Sequence, residues 1–389
     1  MDSSSRSSLP SSLPGSPTGT SSGVPAGAPP STGNIPPRVI GSGGSTQPTR
    51  PTTNLTVPNN PITSAITPSM IDSILFELKR VIVGQDLLLE RLMVALMARG
   101  HVLIEGVPGV AKTLTVRSLA QVIGGTFGRV QFTPDLVPAD LTGNRIYNAK
   151  TGEFTTEPGP VFVNVLLADE INRAPAKVQS ALLEVMQERQ VTIGRQSLAV
   201  PNPFFVLATQ NPIEQDGTYA LPEAQLDRFL FKVVVSYPTY REELLVIERA
   251  MGQTIQLNPL LVPGQVLALQ QAVDQVYVDI AVREYAATLI AATREPLDFG
   301  FDQKFANAIQ LGGSPRASIS LILGARALAF VRKRHYALPQ DVADLLPDVL
   351  RHRLLLSYDA IADNVLPDDI VQAILAKIPP PRIDLGDKS

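Results

Sequence analysis

The stretch GVPGVAKT (106–113) has the residue types and spacing to hold a phosphate chain. It follows the β-branched run HVLIE (101–105) and precedes the helical run LTVRSLAQVI, which opens at Leu114. A glycine-bounded loop between strand and helix lets backbone N–H groups approach phosphate oxygens, and the helix N-terminus adds a favourable dipole. The pattern Gly-x-x-x-x-Gly-Lys-[Ser/Thr] gives its last residues separate tasks. Lys112 would reach the β- and γ-phosphates, Thr113 would turn its hydroxyl to Mg²⁺, and Gly106, Val107, Pro108, Gly109, Val110 and Ala111 would form the cradle. Ala111 stands where the pattern has its second glycine. At a helix start φ is expected to be negative, which alanine tolerates.

Hydrolysis needs acids on a neighbouring strand. VFVNVLLADE (161–170) is an apolar run ending in two of them. Asp169 is placed to orient Mg²⁺ through its water shell, and Glu170 to polarise an attacking water. An acidic pair can also be an ordinary solvated strand end. Here it follows a phosphate loop with one strand between, which favours the chemical reading. FFVLATQNP (204–212) brings Asn211 to a further strand end. An amide there could position the water or sense the γ-phosphate, because ligands of open α/β sheets bind at the carboxyl edge.

These residues meet only if their strands lie side by side. HVLIE (101–105), GRVQF (128–132), VFVNVLLA (161–168), FFVLAT (204–209) and LFKVVV (230–235) alternate with helical patterns. Such alternation implies an α/β fold with a mainly parallel sheet covered on both faces. TPSMIDSILFELKR (67–80) and DLLLERLMVALMARG (86–100) read as helices ahead of it. After about residue 240 apolar periodicity continues with almost no strand signal. The expected organisation is a Pro/Ser/Gly/Thr-rich disordered tail (1–66), an α/β core (67–240) and a helical domain (241–389).

Composition narrows the function. There is no Cys, and the three His (His101, His335, His352) are too scattered to form a metal motif. No apolar run approaches the ~18 residues of a membrane helix, and the N-terminus lacks the apolar core of a secretory signal. A cytoplasmic protein without membrane insertion is expected. Arg6, Arg38 and Arg50 against Asp2 give the first 70 residues +2, so the net charge of −3 leaves −5 for the remainder. That balance argues against nucleic acid as a partner.

Taken together, the segments resemble the AAA+ ATPases and, within them, the MoxR family. The resemblance is carried by VIVGQ (81–85), GVPGVAKT (106–113), QFTPDLVPADLTG (131–143), LLADEINRAPAKVQSALLEVMQE (166–188) and ATQNP (208–212). It continues through LPEAQLDRF (221–229), GGSPRASISL (312–321) and VLRHRLLLSYDA (349–360), covering about 80 to 379. Alanine before the motif lysine is itself characteristic of MoxR proteins. The resemblance implies a P-loop AAA+ core with a five-stranded parallel sheet, then a small all-helical lid. Nucleotide would lie between them and against the next subunit of a homo-oligomeric ring, a hexamer.

By position, Lys112 and Thr113 look like the Walker A pair, Asp169 and Glu170 like the Walker B pair, and Asn211 like sensor 1. Arg228 looks like the arginine finger, with Arg173 and Arg189 as its nearest rivals, and Arg316 looks like sensor 2. Val83, Gly84 and Gln85 fall where such proteins contact adenine. ATP and Mg²⁺ are the implied cofactors, and ATP hydrolysis the implied reaction. The implied role is a molecular chaperone that remodels or matures partner proteins or inserts their metal cofactors. Family members commonly pair with proteins carrying a von Willebrand factor A domain. A magnesium-chelatase-like subunit and a nucleic-acid motor are the alternatives. RIYNAKTGEFTTE (145–157) and RQVTIGRQSLAV (189–200) read as inserted hairpins, either client-facing or extra sheet edge.

Overall fold

The computed structural model describes residues 69–107, 109–211, 218–253 and 255–382. The expected tail (1–66) and Pro108 lie outside the described residues. Helices α1 (Ser69–Lys79) and α2 (Asp86–Met97) precede β1 (Val102–Gly106), α3 (Lys112–Val122) and β2 (Phe127–Gln131). A short helix α4 (Pro138–Thr142) leads into a hairpin of β3 (Gly143–Asn148) and β4 (Glu153–Pro158). Then come β5 (Val165–Asp169), α5 (Ala176–Glu188), a second hairpin of β6 (Gln190–Ile193) and β7 (Gln196–Ala199), and β8 (Phe205–Gln210). Helix α6 (Glu223–Leu226) and β9 (Phe231–Val235) complete this half.

Five strands form one parallel sheet in the order β2-β5-β8-β1-β9. Parallel strands share a direction, so their carboxyl ends all reach the same edge. Burial alternates with period two. Val102, Ile104, Val165, Leu167, Phe205, Leu207, Phe231 and Val233 face one core, shared with α1, α2 and α3. Leu103, Leu166, Ala168, Val206 and Ala208 face a second core, filled by Val178, Leu182, Val185 and Met186 of α5 and by Phe132 and Phe229. Both faces are dry, which is why these strands read as unbroken apolar runs.

The expected strand 161–168 forms only from Val165. Asn164 is the reason: its Oδ1 accepts from the Thr126 N–H and hydroxyl, both at 3.1 Å, and its Nδ2 donates to the Pro203 carbonyl at 2.9 Å. That satisfied amide holds a turn where the apolar pattern alone suggested extended chain. Both hairpins form as expected, with Tyr147 opposite Phe154 in the first and a left-handed Gly194 (φ 64°) turning the second.

Beyond β9 the described chain is mainly helical, departing from the expected all-helical lid only by a short antiparallel pair, Ile309–Leu311 with Leu355–Leu356. Its helices are α7 (Tyr240–Met251), α8 (Pro263–Val273), α9 (Ile280–Arg294), α10 (Gln303–Ala308) and α11 (Pro315–Val331). They are followed by α12 (Pro339–Leu350), α13 (Tyr358–Ala362) and α14 (Pro367–Lys377). Asp279, Asp302, Ser314 and Ser357 cap α9, α10, α11 and α13 through backbone N–H groups. Helix α11 approaches the sheet closely at Gly324, where a Cβ would lie 3.0 Å from the Phe231 ring and 2.9 Å from Leu345. The lid is therefore packed into the sheet's own core. Helix α7 is different, with no buried residue along its length.

Candidate active site at the carboxyl edge of the sheet

The phosphate loop leaves β1 at Gly106, where a Cβ would meet the Val235 carbonyl at 2.7 Å. Gly109 has φ 86° and opens to solvent. Ala111 corrects the sequence expectation: its φ is 57° and its ψ 22°, a left-handed cap ahead of α3 rather than its first helical residue. An L-residue in that region costs roughly 1–2 kcal/mol, which glycine avoids.

Lys112 donates from Nζ to the Gly106 carbonyl at 2.6 Å. Burial lowers its pKa, and the nearby Asp169 and Glu170 carboxylates oppose that shift. Gly109, Ala111, Lys112, Thr113, Leu114, Asp169, Glu170, Thr209 and Asn211 wall one cavity of about 400 Å³. The residues expected to handle phosphate, metal and water thus face one space, drawn from the ends of β1, β5 and β8.

Thr209 carries the contacts that hold the acidic pair. Its hydroxyl donates to Asp169 Oδ1 at 2.6 Å and accepts from the Glu170 N–H at 2.8 Å. Arg129 of β2 donates to Asp169 Oδ2 at 2.8 Å. Gln131 Nε2 donates to Glu170 Oε2 at 2.7 Å, and Arg173 reaches the same oxygen at 3.1 Å. Glu170 has φ 56°, a left-handed residue directly after the end of β5. Sequence reasoning missed Thr209, Arg129 and Gln131. Their only trace in the sequence is polar residues within or at the end of the flanking strands, which gain meaning once the strand order is known. Among the described residues no cluster of three or more His, Asp or Glu could cage a metal. Thr113 and Asp169 on one wall instead suit Mg²⁺, which keeps waters and takes few protein ligands when it rides on phosphates.

A second cavity of about 420 Å³ shares Gly109, Ala111 and Leu114 with the first. Its wall is mostly apolar and includes Val83, Gln85, Val110, Pro238, Val246 and Ile255. A flat base suits it, with Gln85 as a polar neighbour. Gly84 lies off this wall; it has φ 64°, and a side chain there would run into the Glu242 carboxylate. Val107 lines neither cavity and packs on the core. Among the described residues after 240, only Val246, Arg249, Ala250, Gly252, Gln253 and Ile255, from α7 and the chain just beyond it, contribute to the apolar cavity.

Two expected residues are elsewhere. Arg228 and Arg316 line a third cavity, of about 310 Å³, with Asp227, Gln187 and Ser320. Arg228 donates to the Leu183 carbonyl at 3.0 Å, and Arg316 lies 3.6 Å from Asp227 Oδ2. The structure does not bring either arginine to the wall that holds Lys112. Of the rival arginines, Arg173 is on Glu170, and Arg189 is committed to the Phe204 and Arg99 carbonyls at 3.0 and 2.9 Å. No described helix is long and apolar enough to cross a membrane.

Comparison with known proteins agrees with this geometry. Residues 101–231 match the family described as ATPase family associated with various cellular activities (AAA), and 303–374 match the AAA lid domain. The chain is 52% identical to Chaperone MoxR1 of Mycobacterium tuberculosis, over 81% of this chain and 83% of that protein. It is 34% identical to Protein MoxR of Paracoccus denitrificans, over 78% of this chain and 94% of that one. A solved structure from Cytophaga hutchinsonii, described as a candidate ATPase, superposes with a TM-score of 0.76 at 44% identity, covering 81% and 96% of the two chains.

Proposed function

The chain belongs to the MoxR family of AAA ATPases, and from that premise we propose that it binds ATP with Mg²⁺, hydrolyses it in a homo-oligomeric ring and uses the cycle as a chaperone to remodel partner proteins. The observation that carries the reading is the shared wall: a polar cavity with Lys112, Thr113, Asp169, Glu170 and Asn211 opens beside an apolar cavity through Gly109, Ala111 and Leu114. The pair matches a triphosphate joined to a purine nucleoside.

In this reading the apolar cavity takes adenine, the loop N–H groups and Lys112 take the phosphates, and Thr113 and Asp169 hold the metal, Asp169 through water. Mg²⁺ supplies neutralisation of the phosphate charge. Glu170, held by Gln131, Arg173 and the Thr209–backbone bond, accepts a proton from the attacking water. Asn211 orients that water or the γ-phosphate. Arg228 and Arg316 share a cavity apart from Lys112, which supports their serving the nucleotide of a neighbouring subunit. A cation delivered there stabilises transition-state charge and can contribute roughly 10³- to 10⁵-fold in rate.

Two variants separate the roles. Lys112→Ala should lose ATP binding, because Lys112 meets charge already present in the ground state. Glu170→Gln should keep binding and lose turnover, because Glu170 acts in the chemical step. Nucleotide titration and phosphate release read the two. Equal ATP affinity in wild type and Lys112→Ala would overturn the site. Affinity capture on Glu170→Gln with ATP is the route to the partner proteins.

A further inference from the structure

The segment that carries Arg228 is held by a side-chain clamp from the lid. Asp227, 15% exposed in its side chain, accepts from Arg353 Nε at 2.7 Å through Oδ1. Its other oxygen accepts from the Ser314 hydroxyl at 3.1 Å and lies 3.6 Å from Arg316. Arg353 is 2% exposed in its side chain and spends its remaining donors on the carbonyls of Asp227, Phe229, Leu230 and Val349 and on the Ser320 hydroxyl. One carboxylate thus ties three things together: the backbone beside Arg228, the N-terminal turn of α11 with Arg316, and a buried guanidinium at the end of α12.

Two exposed cations lining one cavity repel each other, and each has many rotamers. A carboxylate adjoining one in sequence and facing the other in space offsets that repulsion and restricts both. We propose that Asp227, locked to Arg353, is a positioning residue that presents Arg228 and Arg316 as a single rigid unit to phosphate bound outside their own chain. This rests on the reading that those arginines serve a neighbouring subunit. Asp227 touches no nucleotide in this scheme. Its effect passes through the two arginines, and it ties their aim to the seating of the lid.

The test uses full-length Asp227→Asn, which keeps shape and removes charge. ATP affinity should be unchanged, because Asp227 is absent from the Lys112 cavity. The kcat should fall about 10- to 100-fold, the cost of misplacing a group by about an ångström. Added to Arg228→Ala/Arg316→Ala, Asp227→Asn should cost nothing further in a single-turnover assay. Wild-type kcat in folded Asp227→Asn, or a further loss in the double-variant background, overturns the proposal.

Mixed oligomers locate the defect. Asp227→Asn should recover activity with Lys112→Ala and fail to recover with Arg228→Ala; the reverse pattern overturns the proposal. If Lys112→Ala and Arg228→Ala themselves give no recovery on co-assembly, the neighbour reading falls, while the double-variant comparison still judges Asp227. Should Asp227→Asn not fold, Asp227→Glu retains the charge, shifts it by one methylene, and should lower kcat at an unchanged melting temperature.

Discussion

At the scale of single residues, the acidic pair depends on a hydroxyl. Thr209 orients Asp169 with one bond and the Glu170 backbone with another, and it is 1% exposed. Thr209→Val preserves volume and removes both bonds. We expect kcat to drop about tenfold or more while ATP affinity stays within about twofold, since the carboxylates lose aim and keep their charge. Steady-state phosphate release and nucleotide titration check this. That Lys112, Thr113, Asp169, Glu170 and Asn211 share one cavity was legible in the sequence, because the chemistry proposed for them restricts residue type at short spacing. Thr209, Arg129 and Gln131 were not, because their roles arise only when β2, β5 and β8 align in register. Ala111 was legible in type and misjudged in conformation, since a motif string carries no φ.

At the scale of elements, the strands were readable because both faces of a parallel sheet are buried. The exception, 161–164, turns on one asparagine whose partners are far away in sequence. The junction of lid and sheet at Gly324 was invisible to periodicity, which marks a helix face and says nothing of how near its partner comes. Gly324→Val would drive side-chain carbons into Phe231 and Leu345. Overpacking of that kind costs typically about 1–3 kcal/mol. A lower melting temperature, with ATP affinity kept at temperatures where the variant is folded, is the expected result. A melting curve matching wild type would show that α11 yields at this point.

At the scale of the whole molecule, two neutral histidines sit inside the fold. His101 Nδ1 accepts from the Val206 N–H at 3.1 Å and Nε2 faces the Met186 carbonyl at 3.2 Å, a pairing that only the neutral ring satisfies. Burial pushes its pKa from 6.5 down to about 3, with Arg189 adding to the shift. His352 holds the Phe229 carbonyl across the lid–core junction at 3.0 Å, and burial takes its pKa well below 6.5 as well. Below pH 6.5 the unfolded chain binds protons that the folded chain refuses, so stability falls as pH drops from 6.5 towards 3. Each ring contributes a slope of about 1.4 kcal/mol per pH unit at its steepest. Thermal melts between pH 7.5 and 5 should show this acid loss, and His101→Gln should make it shallower. An unchanged slope in that variant would assign the loss to other groups.

The left-handed residues around the two proposed nucleotide cavities have a consequence for protein engineering. Gln85, Ala111 and Glu170 hold φ of 57°, 57° and 56° without being glycine. Ala111→Gly relieves the strain and should raise the melting temperature by about 1–3 °C. Glycine at Glu170 would relieve the backbone equally and remove the proposed base. A screen that ranks variants by heat resistance will therefore reward changes at positions of the proposed site, the proposed base among them. Thermostability and activity should be scored together at these three sites, because there a gain on the thermometer carries no information about the catalyst.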